Sequence, residues 1–353
     1  MDNEIDKRYK ELQYLRYVDD YFIFVKDATR IQEVVACVRK NLMEYELVLN
    51  ESKLQITESP FSFDNPWIEE LKFSIHRGGE LLLDKAIVLY NEYKDITIFK
   101  YALKAIYLNN INPKSWDRME SKLYNLWIRF PALSELIIKL LLQKKEEIHM
   151  NRLKKVIYSN LEKCKLLNLQ QEQIWIVWAI RLFEVKVKQE YVIEILKSNN
   201  DLAILIILDC ISAGIIDRTQ SISKQLDMLR NELNALDISD KGESGQLMWT
   251  SRWLLAYECQ LHKWLDSQTD KFEAVNNDRF YKSLLKEGID FYDSSYVTTE
   301  VQLAQATRKK TQSLIEYMKQ FAKCNEDKKE ISSEKQNELS QSIIKIIQDS
   351  EGY

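Results

Sequence analysis

The chain has 353 residues, of which 45% are hydrophobic and 29% charged, so its length and composition exclude a disordered chain and allow two packed domains. The formal net charge of −4 disfavours binding of nucleic acid through bulk positive charge and leaves only a locally basic groove for that purpose. Only 7 Gly and 4 Pro occur, and because these residues interrupt helices, their scarcity predicts a mainly helical fold.

The first predicted elements are two short strands within residues 14–25, joined at a pair of aspartates. The strands are rich in aromatic and β-branched residues, as half-buried strands are. Side-chain alternation places Tyr17 and Asp19 on one face of the hairpin, with Val18 and Asp20 on the other. Adjacent carboxylates at an apolar tip repel each other unless a cation lies between them, and such oxygen ligands suit Mg²⁺ or Mn²⁺. The alternative is a pair of solvated turn residues.

An amphipathic helix is predicted next, over residues 30–45, with Thr29 as its N-cap and Asp27 favourable near its start. Its apolar residues recur at helical spacing on one stripe: Ile31, Val34, Val35, Val38, Leu42 and Tyr45. Two strand-like runs follow, at residues 46–50 and 54–57, and predict a second hairpin.

Two segments resemble motifs of reverse transcriptases. Residues 17–20, Tyr-Val-Asp-Asp, resemble the Tyr-x-Asp-Asp box, which lies on the palm floor and holds catalytic magnesium in that family. Residues 47–53, Leu-Val-Leu-Asn-Glu-Ser-Lys, resemble the next palm motif, Leu-x-Leu-Asn-x-x-Lys. The order of hairpin, helix and second hairpin is also that of the palm, so the resemblance implies a partial palm over residues 1–60.

The resemblance assigns roles to five residues. It implies that Asp19 and Asp20 are catalytic and bind the metal, and that Lys53 is a proton donor to the leaving pyrophosphate. It further implies that Tyr17 and Asn50 contribute to substrate binding. For Lys53 the alternative is a solvent-facing turn lysine.

Two-metal catalysis needs carboxylates from a second strand, which in this family lies well upstream of the box. Only thirteen residues precede Tyr14, too few for that strand and the nucleotide-gripping fingers. We therefore expect this chain to be the C-terminal part of an RNA-directed DNA polymerase and to be inactive alone. Mg²⁺ or Mn²⁺, nucleic acid and deoxynucleoside triphosphate would then bind only in a site completed by an upstream half.

Helical patterns fill the remainder of the chain. A thumb-like helical region is predicted over residues 61–147, although no segment matches the primer-gripping motif of the family. A helical C-terminal domain is predicted over residues 148–353, as an α-solenoid or an irregular bundle that offers a surface for a protein partner. The predicted helices are 67–76, 83–93, 97–108, 114–128, 131–145, 148–165, 169–186, 189–198, 200–213, 218–236, 245–265, 276–287, 298–322 and 333–348.

An aromatic stripe lies within the helix predicted over residues 245–265. Its members are Trp249, Trp253, Tyr257 and Trp264. Aromatic residues at helical spacing are typical of an interhelical core. The functional alternative is a stacking surface for the bases of a single-stranded product, to which Arg252 would add a positive charge.

The cysteines and histidines predict no further metal site. The five cysteines are scattered and never form Cys-x-x-Cys, a pattern typical of reduced thiols in a cytoplasmic protein. The three histidines, His76, His149 and His262, show no metal-ligand spacing. The most apolar run, residues 202–208, is too short to span a bilayer, so we expect a cytoplasmic protein without a membrane partner.

A palm hairpin followed by a long helical region resembles the abortive-infection and other defence-associated reverse transcriptases of bacteria. This resemblance implies a role in antiphage defence. One alternative is a catalytically inactive palm relic on a helical scaffold that binds protein or nucleic acid. Another is an all-helical interaction protein in which residues 12–58 form no sheet.

Overall fold

The computed structural model describes residues 13–18, 20–57, 65–75, 78–108, 116–236, 250, 252–265 and 272–309. The chain divides into two compact units, Met1–Asn65 and Pro66–Tyr353. The first unit contains strands β1 (Gln13–Tyr17) and β2 (Asp20–Phe24), short 3₁₀ turns at Ala28–Arg30 and Glu51–Lys53, and helix α1 (Ile31–Met43). A small N-terminal α+β part followed by many helices confirms the predicted fold class.

The described residues of the second unit form helices and their connections, with no strand among them. Its helices are α2 (Pro66–Ser74), α3 (Gly79–Tyr93), α4 (Thr97–Leu108), α5 (Trp116–Arg129), α6 (Ser134–Leu142), α7 (Met150–Leu167), α8 (Gln170–Leu182), α9 (Gln189–Leu196), α10 (Asp201–Ser212), α11 (Gln220–Asn234), α12 (Trp253–His262), α13 (Glu273–Asn277), α14 (Arg279–Glu287) and α15 (296–309). The predicted helix over 333–348 lies outside the described residues.

The N-terminal hairpin and α1 form a small layered unit. β1 and β2 are antiparallel, and Ile23 and Val25 pack against Val34 and Cys37 of α1. Thr29 is not the N-cap of α1 that the sequence predicted: that position is occupied by Arg30, whose side chain makes no capping hydrogen bond. Asp27 caps the preceding 3₁₀ turn, because its Oδ1 accepts hydrogen bonds from the Thr29 N–H at 2.9 Å and the Thr29 hydroxyl at 2.7 Å. The strands remove the all-helical alternative for this segment.

The predicted second hairpin does not form in the described part of the first unit. Residues 47–50 and 54–57 have no ladder partner, and the described sheet has two strands. The connection between them closes as a 3₁₀ turn, with the Lys53 N–H donating to the Asn50 carbonyl at 3.0 Å. Strand pairing needs a correctly placed partner edge, which strand-like sequence alone does not supply.

The first unit exposes much of its apolar surface. Its exposed large apolar residues include Leu15, Tyr17, Val18, Phe22, Phe24, Met43, Tyr45, Leu47, Val48, Leu54 and Ile56. Only Val34, Cys37 and Val38 are buried apolar residues among those described. So small a core contributes little hydrophobic stabilisation to the unit.

The second unit has a continuous core that includes residues from Trp67 to Val301. Helices α4, α6, α8, α10 and α12 form one row in which each packs on the next. Helices of a second row flank them, with α5 against α7 and α9 against α11. Packing of each helix on the second helix along the chain is the arrangement of stacked helical pairs in an α-solenoid.

Four cysteines among the described residues are buried: Cys37, Cys164, Cys210 and Cys259. Burial raises the pKa of the Cys164 and Cys210 thiols to about 12. Cys324 lies outside the described residues. None of the helices in the described part of the chain combines the length and apolar character needed to cross a membrane.

The contrast between the two cores predicts where a protease cuts. We expect brief digestion of the folded chain with chymotrypsin to cleave before about residue 60, because the exposed aromatic and leucine residues there belong to a unit with few buried residues. Mass spectrometry of the products would locate the cuts. Early cleavage concentrated within residues 150–236, with an intact N-terminal hairpin, would contradict this expectation.

Candidate active site

The candidate active site is built on the tip of the β1–β2 hairpin. Tyr17 and Asp20 lie directly opposite each other in the register, so only two positions of the chain separate the paired strands. Asp19 itself lies outside the described residues. The Arg16 side chain makes two contacts near the turn. Its Nε donates a hydrogen bond to the Val18 carbonyl at 2.8 Å, and its guanidinium lies 5.2 Å from the centre of the Tyr21 ring.

The register changes the predicted arrangement of faces. Residues that oppose each other across antiparallel strands share a face, so Tyr17 and Asp20 lie on the same side of the hairpin. The sequence-based alternation had placed them on opposite sides because it counted through the turn as if it were a strand. Both residues are exposed, with Tyr17 at 76%. The turn therefore presents a phenol and a carboxylate together on one accessible surface.

Val18 adopts an unusual backbone conformation at this turn. Its φ is +57°, in the left-handed region that β-branched residues rarely occupy. Two-residue hairpin turns often require positive φ, and Gly or Asn usually provides it. The hairpin thus places a strained valine next to the aspartate pair, and strain of this kind is often found at functional sites.

We expect Val18→Gly to stabilise the hairpin locally by about 1 kcal/mol, since glycine adopts positive φ without the clash of a Cβ atom. Hydrogen exchange at the amides of residues 20–24 would report this as slower exchange. Val48→Gly is the matched control, because Val48 is 89% exposed and does not have positive φ. Faster exchange in Val18→Gly would show that the valine conformation is not strained.

Lys53 and Asn50 lie together in the turn that follows α1. Both residues are exposed, and the backbone hydrogen bond from Lys53 to Asn50 closes the turn. Glu51 fixes this turn to α1 through two hydrogen bonds from the Arg39 guanidinium, each 2.8 Å long. Lys53 therefore lies in an exposed turn that the Arg39–Glu51 hydrogen bonds connect to α1.

The comparisons with known proteins concern this same segment. Residues 1–70 match the family model described as reverse transcriptase (RNA-dependent DNA polymerase). This part of the chain is similar to reverse transcriptases. The match includes every candidate site residue, namely Tyr17, Asp19, Asp20, Asn50 and Lys53, but only about a fifth of the chain. No curated protein and no solved structure matches the chain.

The aromatic stripe of α12 belongs to the core of the second unit. Tyr257 is fully buried and Trp264 is 9% exposed, while Trp253 packs against Tyr281 and Phe291. Trp249 lies outside the described residues. Arg252, which would serve a base-stacking surface, instead forms ion pairs with Asp201 at 2.7 Å and Glu232 at 3.0 Å. These contacts confirm the interhelical interpretation for the described part of the stripe.

The fold also brings acids and histidines together where the sequence predicted no such site. Glu258, His262 and Asp290 form one group in the second unit, and Asp117, Glu120 and His149 form another. Glu258 and His262 are four residues apart on one helix, a spacing that would have identified two potential ligands. Asp290 comes from a distant part of the chain, so no local pattern could have added it.

Proposed function

We propose that residues 1–70 provide the catalytic hairpin of an RNA-directed DNA polymerase that acts by two-metal nucleotidyl transfer. The observation that carries this proposal is the exposed pairing of Tyr17 with Asp20 at a two-residue turn, within the segment similar to reverse transcriptases. The proposal explains why a carboxylate and a strained turn lie at the tip of an apolar hairpin.

Asp19 and Asp20 would hold Mg²⁺ or Mn²⁺ in the completed enzyme. The donor chemistry fits, because an exposed carboxylate is a hard oxygen ligand of the type that these ions prefer. When bound, the metal ions activate the attacking primer hydroxyl and stabilise the leaving phosphate. In this arrangement Tyr17 contacts the substrate from the same face as Asp20, and Asn50 shapes the turn that carries Lys53.

Lys53 is proposed to donate a proton to the departing pyrophosphate. Its exposure and its place on an anchored turn support this role, because a general acid needs both access to the substrate and a defined position. A solvent-facing lysine without such a role remains the alternative for this side chain.

The hairpin needs further elements before it can act. Two-metal sites use carboxylates from more than one strand, and the described sheet has two strands joined at a single aspartate-bearing turn. We propose that an upstream fingers and palm half completes the site, and that this chain alone does not polymerise. The exposed apolar side chains of the first unit support the proposal, since a palm partner would cover them.

We further propose that the completed enzyme acts in the cytoplasm in antiphage defence and uses nucleic acid and deoxynucleoside triphosphates as substrates. The combination of a palm hairpin with a stacked helical unit supports this role, because defence-associated reverse transcriptases have a similar organisation. The second candidate function is an inactive palm relic on a scaffold. The continuous core of the second unit favours it, since stacked helices offer extended binding surfaces without chemistry.

Co-expression of the full chain with the polypeptide encoded immediately upstream would test both functions. We expect the purified pair to extend a DNA primer on an RNA template in the presence of Mg²⁺, and we expect Asp19→Asn to abolish this extension. Full activity in the Asp19→Asn variant would exclude the hairpin as the catalytic element. A stable pair that never incorporates nucleotide would favour the scaffold.

A further inference from the structure

Three side chains converge in the second unit, far along the chain from the candidate active site. Glu258 and His262 lie one turn apart on α12, and Asp290 follows α14. The Nε2 atom of His262 is 3.2 Å from Glu258 Oε2 and 3.2 Å from Asp290 Oδ2. All three ligand atoms lie within 4.8 Å of one another.

Backbone hydrogen bonds fix the orientation of both carboxylates. Oε1 of Glu258 accepts from the Phe291 N–H at 2.9 Å, and Oδ1 of Asp290 accepts from the Tyr292 N–H at 2.7 Å. The Tyr257 hydroxyl also holds this loop, by donating to the Ile289 carbonyl at 2.5 Å. One oxygen of each carboxylate is therefore anchored, and the other lies near the imidazole.

The arrangement leaves polar atoms unsatisfied. The Glu258 side chain is 0% exposed, yet its Oε2 atom has no hydrogen-bond partner among the described residues, and the same is true of His262 Nε2. The two atoms are close, but their directions do not give a hydrogen bond. The cluster brings two carboxylates to one imidazole, and a buried carboxylate oxygen without a hydrogen-bond partner is costly unless a cation is bound there.

We propose that Glu258, His262 and Asp290 bind a single divalent transition-metal ion, Zn²⁺ in the first instance, through Oε2, Nε2 and Oδ2. Bonds of about 2.0–2.1 Å at tetrahedral angles place neighbouring ligand atoms roughly 3.3 Å apart. The observed 3.2 Å separations correspond to that spacing. Two carboxylates and a neutral imidazole balance the charge of a divalent ion, and the imidazole favours Zn²⁺ over Mg²⁺ or Ca²⁺.

The bound ion would connect α12 to the loop that carries residues 288–292. The side chains of His262 and Asp290 are 28% and 40% exposed, but the Glu258 Oε2 and His262 Nε2 atoms are themselves buried, so an ion would enter from the side of Asp290. Because the three ligands come from two segments, binding stabilises their association and raises the resistance of this part of the fold to unfolding.

The second group of acids and histidine provides a comparison within the same chain. Glu120 is equally buried, but its Oε1 accepts from the Tyr124 hydroxyl and the His149 N–H, each at 2.8 Å. Its Oε2 is 2.6 Å from His149 Nδ1, and Arg152 binds Asp117 at 2.9 Å. Both carboxylate oxygens of Glu120 therefore have partners, and the Arg152 guanidinium already provides a positive charge beside them. A bound cation would add little stabilisation to this cluster.

Calorimetric titration of the EDTA-treated full chain with ZnCl₂ would test the proposal. We expect one equivalent to bind, and we expect Glu258→Gln, Asp290→Asn and His262→Ala each to weaken binding by at least about 10-fold. His149→Ala is the matched control and should bind as the wild type does. Asp20→Asn should also bind Zn²⁺ normally, which separates this site from the catalytic hairpin.

Two further readouts exclude a trivial loss of folding. Circular dichroism should show that Asp290→Asn remains folded, and Zn²⁺ should raise the melting temperature of the wild type but not of this variant. Co²⁺ should give the visible absorption of a nitrogen- and oxygen-ligated ion in the wild type only. Absence of Zn²⁺ binding by the wild type would overturn the proposal, and so would equal binding by the folded Asp290→Asn and His262→Ala variants.

Discussion

Asp20→Asn is expected to lower nucleotide incorporation by the proposed polymerase by about three orders of magnitude. A carboxylate that holds a catalytic metal contributes several kcal/mol to stabilisation of the transition state, and an amide cannot replace its charge. Primer extension under single-turnover conditions, with the upstream polypeptide present, would measure the effect. The substitution should leave the fold intact because Asp20 is exposed.

Glu44→Gln provides the control for this prediction. Glu44 is an exposed acid at the end of α1, in the same unit, and its replacement removes the same charge. We expect its rate to stay within about twofold of the wild type, because it lies outside the proposed site. Equal losses in the two variants would indicate a general electrostatic effect on nucleic-acid binding.

Asp209→Ala is expected to lower the free energy of unfolding of the second unit by about 3 kcal/mol. Asp209 is paired with Arg181 at 2.5 Å and accepts a hydrogen bond from the Tyr292 hydroxyl at 2.8 Å. The side chains of Arg181 and Asp209 are only 25% and 14% exposed, so removal of the acid leaves a charge that is poorly solvated. Urea denaturation followed by circular dichroism would measure the loss.

Two other substitutions divide this effect into its parts. Tyr292→Phe removes only the hydroxyl and should cost about 1 kcal/mol. Asp227→Ala removes an acid whose side chain is 61% exposed and paired with Arg230 on the same helix, so it should change stability by less than about 1 kcal/mol. If Asp209→Ala lowers the free energy of unfolding no more than Asp227→Ala does, then burial does not increase the contribution of the Arg181–Asp209 pair to stability.

The elements that could be predicted from the sequence depend on local patterns. The β1–β2 hairpin and α1 follow from alternation and helical spacing within about thirty residues, and most helices of the second unit were predicted for the same reason. A local signal was also missed. The helix predicted over 276–287 is interrupted because Asp278 accepts a hydrogen bond from the Phe280 N–H at 2.9 Å and caps a new helix.

The features that could not be predicted depend on contacts between distant segments. Residues 47–50 have strand-like sequence but lack a described partner edge, so they form no strand. The shared face of Tyr17 and Asp20 follows from the number of residues in the turn, which simple alternation ignores. Asp290 lies beside His262 on a loop that Tyr257 and Glu258 bind through hydrogen bonds to Ile289 and Phe291. Sequence periodicity contains no information on such an approach.

Burial makes the four described thiols slow to react with alkylating reagents in the folded chain, because a reagent cannot reach a buried sulfur atom. Cys37 lies in the first unit, whereas Cys164, Cys210 and Cys259 lie in α7, α10 and α12 of the second. In a Cys324→Ser background, the order in which maleimide modifies these four positions would report the order in which the helices open. The chain thus contains native probes for each unit, including one beside Glu258.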